Sequence, residues 1–113
     1  MKNIADIRQE YTKSGLRESE LPCDPLSLFS RWLQEAIDAN VEEPTAVIVG
    51  TVSPEGRPST RTVLLKGLHD GKFIFYTNYE SRKGRQLEQN PYISLSFVWH
   101  ELERQVHIEG TAA

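Results

Sequence analysis

Arg61-Thr62-Val63-Leu64-Leu65-Lys66, Tyr76-Thr77 and Ser81-Arg82-Lys83 hold the densest set of ligand-binding residue types in the chain. Guanidinium forks and lysine point charges are the usual partners of phosphate. Ser81-Arg82-Lys83, where a helix is expected to start, adds a hydroxyl and free amide donors to two cations in one small volume. The chemistry of such a set is anion binding, and the competing reading is ordinary solvated charge. Arg61 and Lys66 are five positions apart, so an unbroken strand points them to opposite faces. A single ligand reaches both only at a strand end, across a twist, or through the backbone between them.

Other chemistries find less support. Gly56 and Gly71 suit turns, and no glycine-rich phosphate loop or dinucleotide fingerprint is present. His69, His100 and His107 are too scattered for a zinc site, and Cys23 is the sole cysteine, so no thiolate cluster or internal disulfide forms. A reducing compartment, the cytoplasm, is the expectation. No acid–base dyad or Ser-His-Asp arrangement emerges, and no catalytic residue is assigned. Thirteen Lys+Arg against sixteen Asp+Glu leave a net charge of -3, which argues against a nucleic-acid track. Apolar runs are short and interrupted, so neither a signal peptide nor a membrane span is expected.

The elements that must position these residues follow from periodicity. One domain accounts for 113 residues. Ile4, Ile7, Arg8 and Tyr11 suggest a short helix over residues 4–12. Asp24-Pro25 is a cap and first-turn pair, and Leu28, Phe29, Trp32, Leu33, Ala36 and Ile37 recur at helical spacing, predicting an amphipathic helix over 25–39 whose aromatic stripe is core. Thr45 to Val52 and Ser59 to Leu65 read as an antiparallel hairpin across Ser53-Pro54-Glu55-Gly56. Asp70-Gly71 signals a further hairpin before a third strand over Lys72 to Thr77. A short helix over Ser81 to Gln89, a fourth strand over Tyr92 to Trp99 and a fifth over Arg104 to Glu109 complete a meander, which closure into a small barrel would protect at its edges.

Taken in order, Arg8-Gln9-Glu10-Tyr11, Leu21-Pro22-Cys23-Asp24-Pro25 with Phe29 and Trp32, Arg61 to Lys66, Phe75-Tyr76-Thr77-Asn78, Ser81-Arg82-Lys83 and Trp99-His100-Glu101-Leu102-Glu103-Arg104-Gln105-Val106 resemble the amino-terminal half of the pyridoxamine 5'-phosphate oxidase family. The resemblance covers nearly the whole chain. It implies a mainly β fold, the FMN-binding split barrel, incomplete at the carboxyl end and led by a helical segment. It further implies a homodimer with FMN at the subunit interface. The activity implied is oxidation of pyridoxamine or pyridoxine 5'-phosphate to pyridoxal 5'-phosphate by molecular oxygen, with release of hydrogen peroxide. By this resemblance Arg61, Thr62, Val63, Leu64, Leu65, Lys66, Tyr76, Thr77, Arg82, Lys83 and Gln105 bind the cofactor, with Gln105 reaching it from the neighbouring chain. Lys66 also serves substrate phosphate, and Arg8, Gln9, Glu10 and Tyr11 cover bound substrate. Residues 1–24 become a lid segment and 25–113 a partial split-barrel domain. Family members are longer, and the part beyond this chain carries further substrate and FMN ligands, so a fragment with impaired turnover is expected. The alternative is an FMN-binding split-barrel protein that is not an oxidase.

Overall fold

The computed structural model describes residues 24–76 and 90–112. Helix α1 spans Pro25–Asp38, with the Asp24 carboxylate accepting from the Leu26 amide at 3.1 Å and Pro25 in the first turn. The helix ends in a Schellman arrangement: Asn40 takes a left-handed φ of 56° and the Val41 amide donates to the Ala36 carbonyl at 3.1 Å. Val41, just past that turn, is buried and ties the exit of the helix to the core.

Six strands follow among the described residues: β1 (Ala46–Val52), β2 (Pro58–Leu64), β3 (Gly67–His69), β4 (Lys72–Ile74), β5 (Tyr92–Trp99) and β6 (Arg104–Thr111). A 3-10 turn at His100–Leu102 links the last two. The expected five-strand meander needs correction. The order is β2-β1-β5-β6 in one four-stranded antiparallel sheet, with β3-β4 as a separate hairpin. β1 is therefore central: the chain leaves β2, forms the small hairpin and returns to the other side of β1. The expected third strand stops at Ile74 and gains a partner, β3, too short for a periodicity to register. Asp70 and Gly71, with φ of 51° and 73°, give that hairpin the two positive-φ residues a type I′ turn requires. Among the described residues the sheet is not closed into a barrel, since β2 and β6 are its two edges.

Strand register assigns each residue to a face. Val47, Val49, Leu95, Phe97 and Trp99 share the inner face with the buried residues Phe29 and Ala36 of α1. Phe97 lies at the centre of the aromatic group, with ring centroids 4.9 Å from Phe29, 6.4 Å from Phe73 and 5.7 Å from Trp99. The helical stripe is less uniform than its spacing implies. Trp32 is half-buried with the Arg104 guanidinium over its ring, and Ile37 is largely exposed. On the outer face Ile48, Leu64 and Val98 are exposed at 42%, 43% and 48%, so among the described residues one side of the sheet is packed and the other carries exposed apolar side chains.

Candidate functional site

β2 carries Arg61 on the inner face, opposite Val49, because directly paired antiparallel residues point the same way. Thr62 and Leu64 lie on the outer face, while Val63 follows Arg61 inward. The strand ends at Leu64, but the ladder continues one residue further, with the Leu65 amide donating to the Thr45 carbonyl at 2.9 Å. The Lys66 amide then donates to Ile74 at 2.7 Å, so Lys66 sits where the chain passes from the sheet to the hairpin. That bond draws Lys66 to the end of β4, two residues before the exposed Tyr76. The structure thus brings Lys66 and Tyr76 to one end of the hairpin and leaves Arg61 within β2. It breaks the strand between the two cations, which simple alternation assumes to be continuous.

Two further properties of β2 follow from its register. The Leu65–Thr45 bond places Thr45 and Leu65 in a hydrogen-bonded pair, so the backbone groups of Thr60, Thr62 and Leu64 point away from β1. They form the open edge of the sheet among the described residues. Arg61 and Lys66 are exposed, and neither has a carboxylate partner among the described residues. The edge therefore offers two cations and a row of unpaired backbone donors and acceptors along one strand.

Gln105 lies on the opposite edge strand. Its cross-strand partner is Val98, and its side chain is exposed on the outer face. Arg61 and Gln105 are consequently on different edges and different faces, and one chain does not bring them together. Arg8, Gln9, Glu10, Tyr11, Thr77, Arg82 and Lys83 lie outside the described residues, as do the helices expected over 4–12 and 81–89.

Sequence reasoning passed over two groups. Arg104 ion-pairs with Glu35 and stacks 4.7 Å from the Trp32 ring centroid, joining β6 to α1. Ser96 Oγ lies 3.2 Å from His107 Nδ1, and His107 Nε2 lies 3.3 Å from Glu109 Oε1, a polar stripe continuing from Gln105 along the outer face of β6. Alternation within Gln105-Val106-His107-Ile108-Glu109 could have revealed the stripe. The contact between Arg104 and α1 has no local signature. Elsewhere, an open depression lined by Asp24, Leu26, Ser27, Ser30, Leu68 and Gly71 includes none of the expected site residues. Among the described residues no group of His, Cys, Asp and Glu is placed to hold a metal, and no helix is long and apolar enough to cross a membrane.

The pyridoxamine 5'-phosphate oxidase family model matches residues 33–113, more than half the chain. A pyridoxine/pyridoxamine 5'-phosphate oxidase of Bacteroides thetaiotaomicron is 98% identical over 113 residues, which are all of this chain and 53% of that protein. One of the same name from Porphyromonas gingivalis is 59% identical over 108 residues, covering 96% of this chain and 50% of the relative. The chain thus spans about half the length of these curated relatives. Among solved structures, PhzG from Burkholderia lata, in complex with tetrahydrophenazine-1-carboxylic acid, superposes with a TM-score of 0.82 at 34% identity, over 88% of this chain and 50% of that one. A pyridoxamine 5'-phosphate oxidase-related, FMN binding protein from Nostoc punctiforme superposes at 0.68 with 22% identity, over 80% of this chain and 47% of that one, and shares the fold.

Proposed function

This chain belongs to the pyridoxamine 5'-phosphate oxidase family, and from that premise we propose that it is the amino-terminal part of an enzyme that oxidises pyridoxamine or pyridoxine 5'-phosphate to pyridoxal 5'-phosphate. FMN is the cofactor of this reading, molecular oxygen the final electron acceptor and hydrogen peroxide the by-product. The observation that carries it is the edge of β2, where, among the described residues, Arg61 and Lys66 have no carboxylate partner and stand on either side of backbone donors and acceptors that face away from β1.

That donor set fits a flavin mononucleotide. A dianionic phosphate calls for guanidinium and ammonium donors, and the polar rim of an isoalloxazine calls for backbone N–H and C=O groups in a row. When bound, the flavin supplies hydride acceptance and reoxidation by oxygen. The residues of this chain bind and orient: Arg61 and Lys66 neutralise phosphate, Thr62 and Leu64 present their main chain to the ring, and Tyr76 lends an exposed aromatic face. Arg82 and Lys83 complete the phosphate set in this reading, with Thr77 beside Tyr76. Gln105 holds the ring edge through its amide, which can donate and accept. Arg8, Gln9, Glu10 and Tyr11 cover the substrate.

The separation of Arg61 from Gln105 supports a site shared between two copies, since each copy offers one part on one edge and the other part elsewhere. The test is an FMN titration of this chain followed by flavin fluorescence, with Arg61→Met, Lys66→Met and Gln105→Ala variants. Saturable quenching is expected, with affinity lowered about tenfold by loss of one hydrogen-bonding contact and the melting curve unchanged. Mixed Arg61→Met and Gln105→Ala chains should recover part of the lost binding, because a mixed pair contains one intact shared site. Unchanged affinity in all three variants would overturn the site, and no recovery on mixing would overturn its two-chain character.

A further inference from the structure

We infer that Arg104 is a positioning residue for Gln105, holding the start of β6 from the inner face so that the Gln105 amide stays on the outer one. The inference rests on the reading of Gln105 as a cofactor contact. Gln105 occupies a vulnerable place. It is the second residue of a strand at the edge of the sheet among the described residues, it follows a corner in which Glu103 takes a left-handed φ of 54°, and its own backbone groups point away from β5. An edge strand slipping by one residue sends every side chain to the other face. Such a slip here would carry Gln105 inward and Arg104 outward.

Three contacts oppose it, and all run to α1 or to the segment just after it. Arg104 ion-pairs with Glu35 and lies over the Trp32 ring, its side chain only 17% exposed. Its cross-strand partner Trp99 is 1% exposed and donates its indole N–H to the Pro44 carbonyl at 2.8 Å. Within the connecting turn, the Glu101 carboxylate accepts from the Glu42 amide at 2.9 Å. Of these, Arg104 is the contact on β6 itself, one residue from Gln105. A guanidinium satisfies carboxylate and aromatic face together, whereas a lysine at the same place keeps the charge and loses the fork and the stacking. In a slipped register a neutral amide would stand before Glu35 and Trp32, and neither would be matched.

The test has two arms on the intact chain. Amide hydrogen exchange reads the anchoring without any flavin. Arg104→Met should speed exchange at Val106, whose amide pairs with β5, by about tenfold or more through local opening, while Val49 in β1 changes less than about twofold. Arg104→Lys should fall between the two. Exchange at Val106 unchanged by Arg104→Met overturns the inference. The second arm is a double-mutant cycle on FMN affinity. If Arg104 acts through Gln105, Arg104→Met weakens binding by about tenfold alone and by less than about twofold in a Gln105→Ala background. Equal losses in both backgrounds overturn the positioning role. Gln105→Ala without effect overturns the cofactor reading on which the inference rests, and the exchange arm separates that failure from a failure of the anchor.

Discussion

Phe97→Ala removes the side chain on which the inner face converges. Phe97 is fully buried and its ring meets those of Phe29, Phe73 and Trp99, drawn from α1, β4 and β5. Truncating a buried phenylalanine costs about 3–5 kcal/mol, because the lost transfer energy is joined by a cavity its neighbours only partly fill. Those neighbours are large rings held by other contacts: Trp99 by its bond to Pro44 and Phe29 within the helix. The upper part of the range applies. With a urea m-value near 2 kcal/mol per molar, a loss of about 4–5 kcal/mol lowers the midpoint by about 2–2.5 M. Phe97→Leu keeps most of the volume and loses the ring pairs, for about 1–2 kcal/mol. The assay is equilibrium urea unfolding followed by tryptophan fluorescence, with Ile48→Ala as the control on the outer face, where the side chain is already 42% exposed. A midpoint shift for Phe97→Ala no larger than that for Ile48→Ala would refute the assignment of packed and uncovered faces.

Further expectations follow from single contacts. A Cβ at Gly50 would lie 2.5 Å from Ser94 Oγ, so Gly50→Ala should lower the urea midpoint by about 1 kcal/mol equivalent, and adding Ser94→Ala should recover most of it. Asp24→Ala removes the acceptor of the Leu26 amide and the Ser27 hydroxyl and should cost about 1 kcal/mol of thermal stability, with Asp24→Asn costing less. The Glu101 carboxyl is held below its ordinary range, first by the Glu42 amide, then by its own amide and by His100. A depressed folded-state value means that the unfolded chain takes up the proton first on acidification. The stabilisation is therefore complete above the unfolded value, about pH 4.3, and is lost as pH falls through the folded one. Melts of Glu101→Gln and the parent chain should accordingly differ at neutral pH and converge in acid, and a constant difference across that range would contradict the assignment.

Local signals located most elements. Asp24-Pro25 marks the start of α1 to the residue, and the helical spacing overruns its end at Asp38 by a single position. The strand expected over Tyr92 to Trp99 has those bounds in the structure, and Asp70-Gly71 makes its turn. What local signals do not carry is partnership. The union of β1 with β5 joins segments separated by three strands, β2, β3 and β4, and by residues 77–89, and nothing in either strand distinguishes that neighbour from the next strand in sequence. The meander is the expectation of shortest connections, and it fails because β1, with Val47, Val49 and Thr51 buried, needs strands on both sides to cover its backbone. The missed clamp at Arg104 has the same origin, since its partners Trp32 and Glu35 lie about seventy residues away and mark only a helix face.

The two faces of the sheet differ in what selects their residues. Inner-face residues are chosen by volume: Val47, Val49, Leu95, Phe97 and Trp99 pack against Phe29 and Ala36. On the other side exposed apolar Ile48, Leu64 and Val98 are interspersed with Thr62, Ser96 and His107, a mixture that neither a solvated face nor a core would select. Gln105 pairs with exposed Val98, so its amide adjoins an apolar neighbour on the outer face. Two cations stand on the inner side: Arg104 is paired with Glu35, whereas Arg61 is exposed opposite buried Val49 on β2. A charge there contributes nothing to the core and must extend past the rim of the sheet to stay in contact with water. Arg61, exposed yet on the packed face, is thus a residue whose identity packing alone does not select.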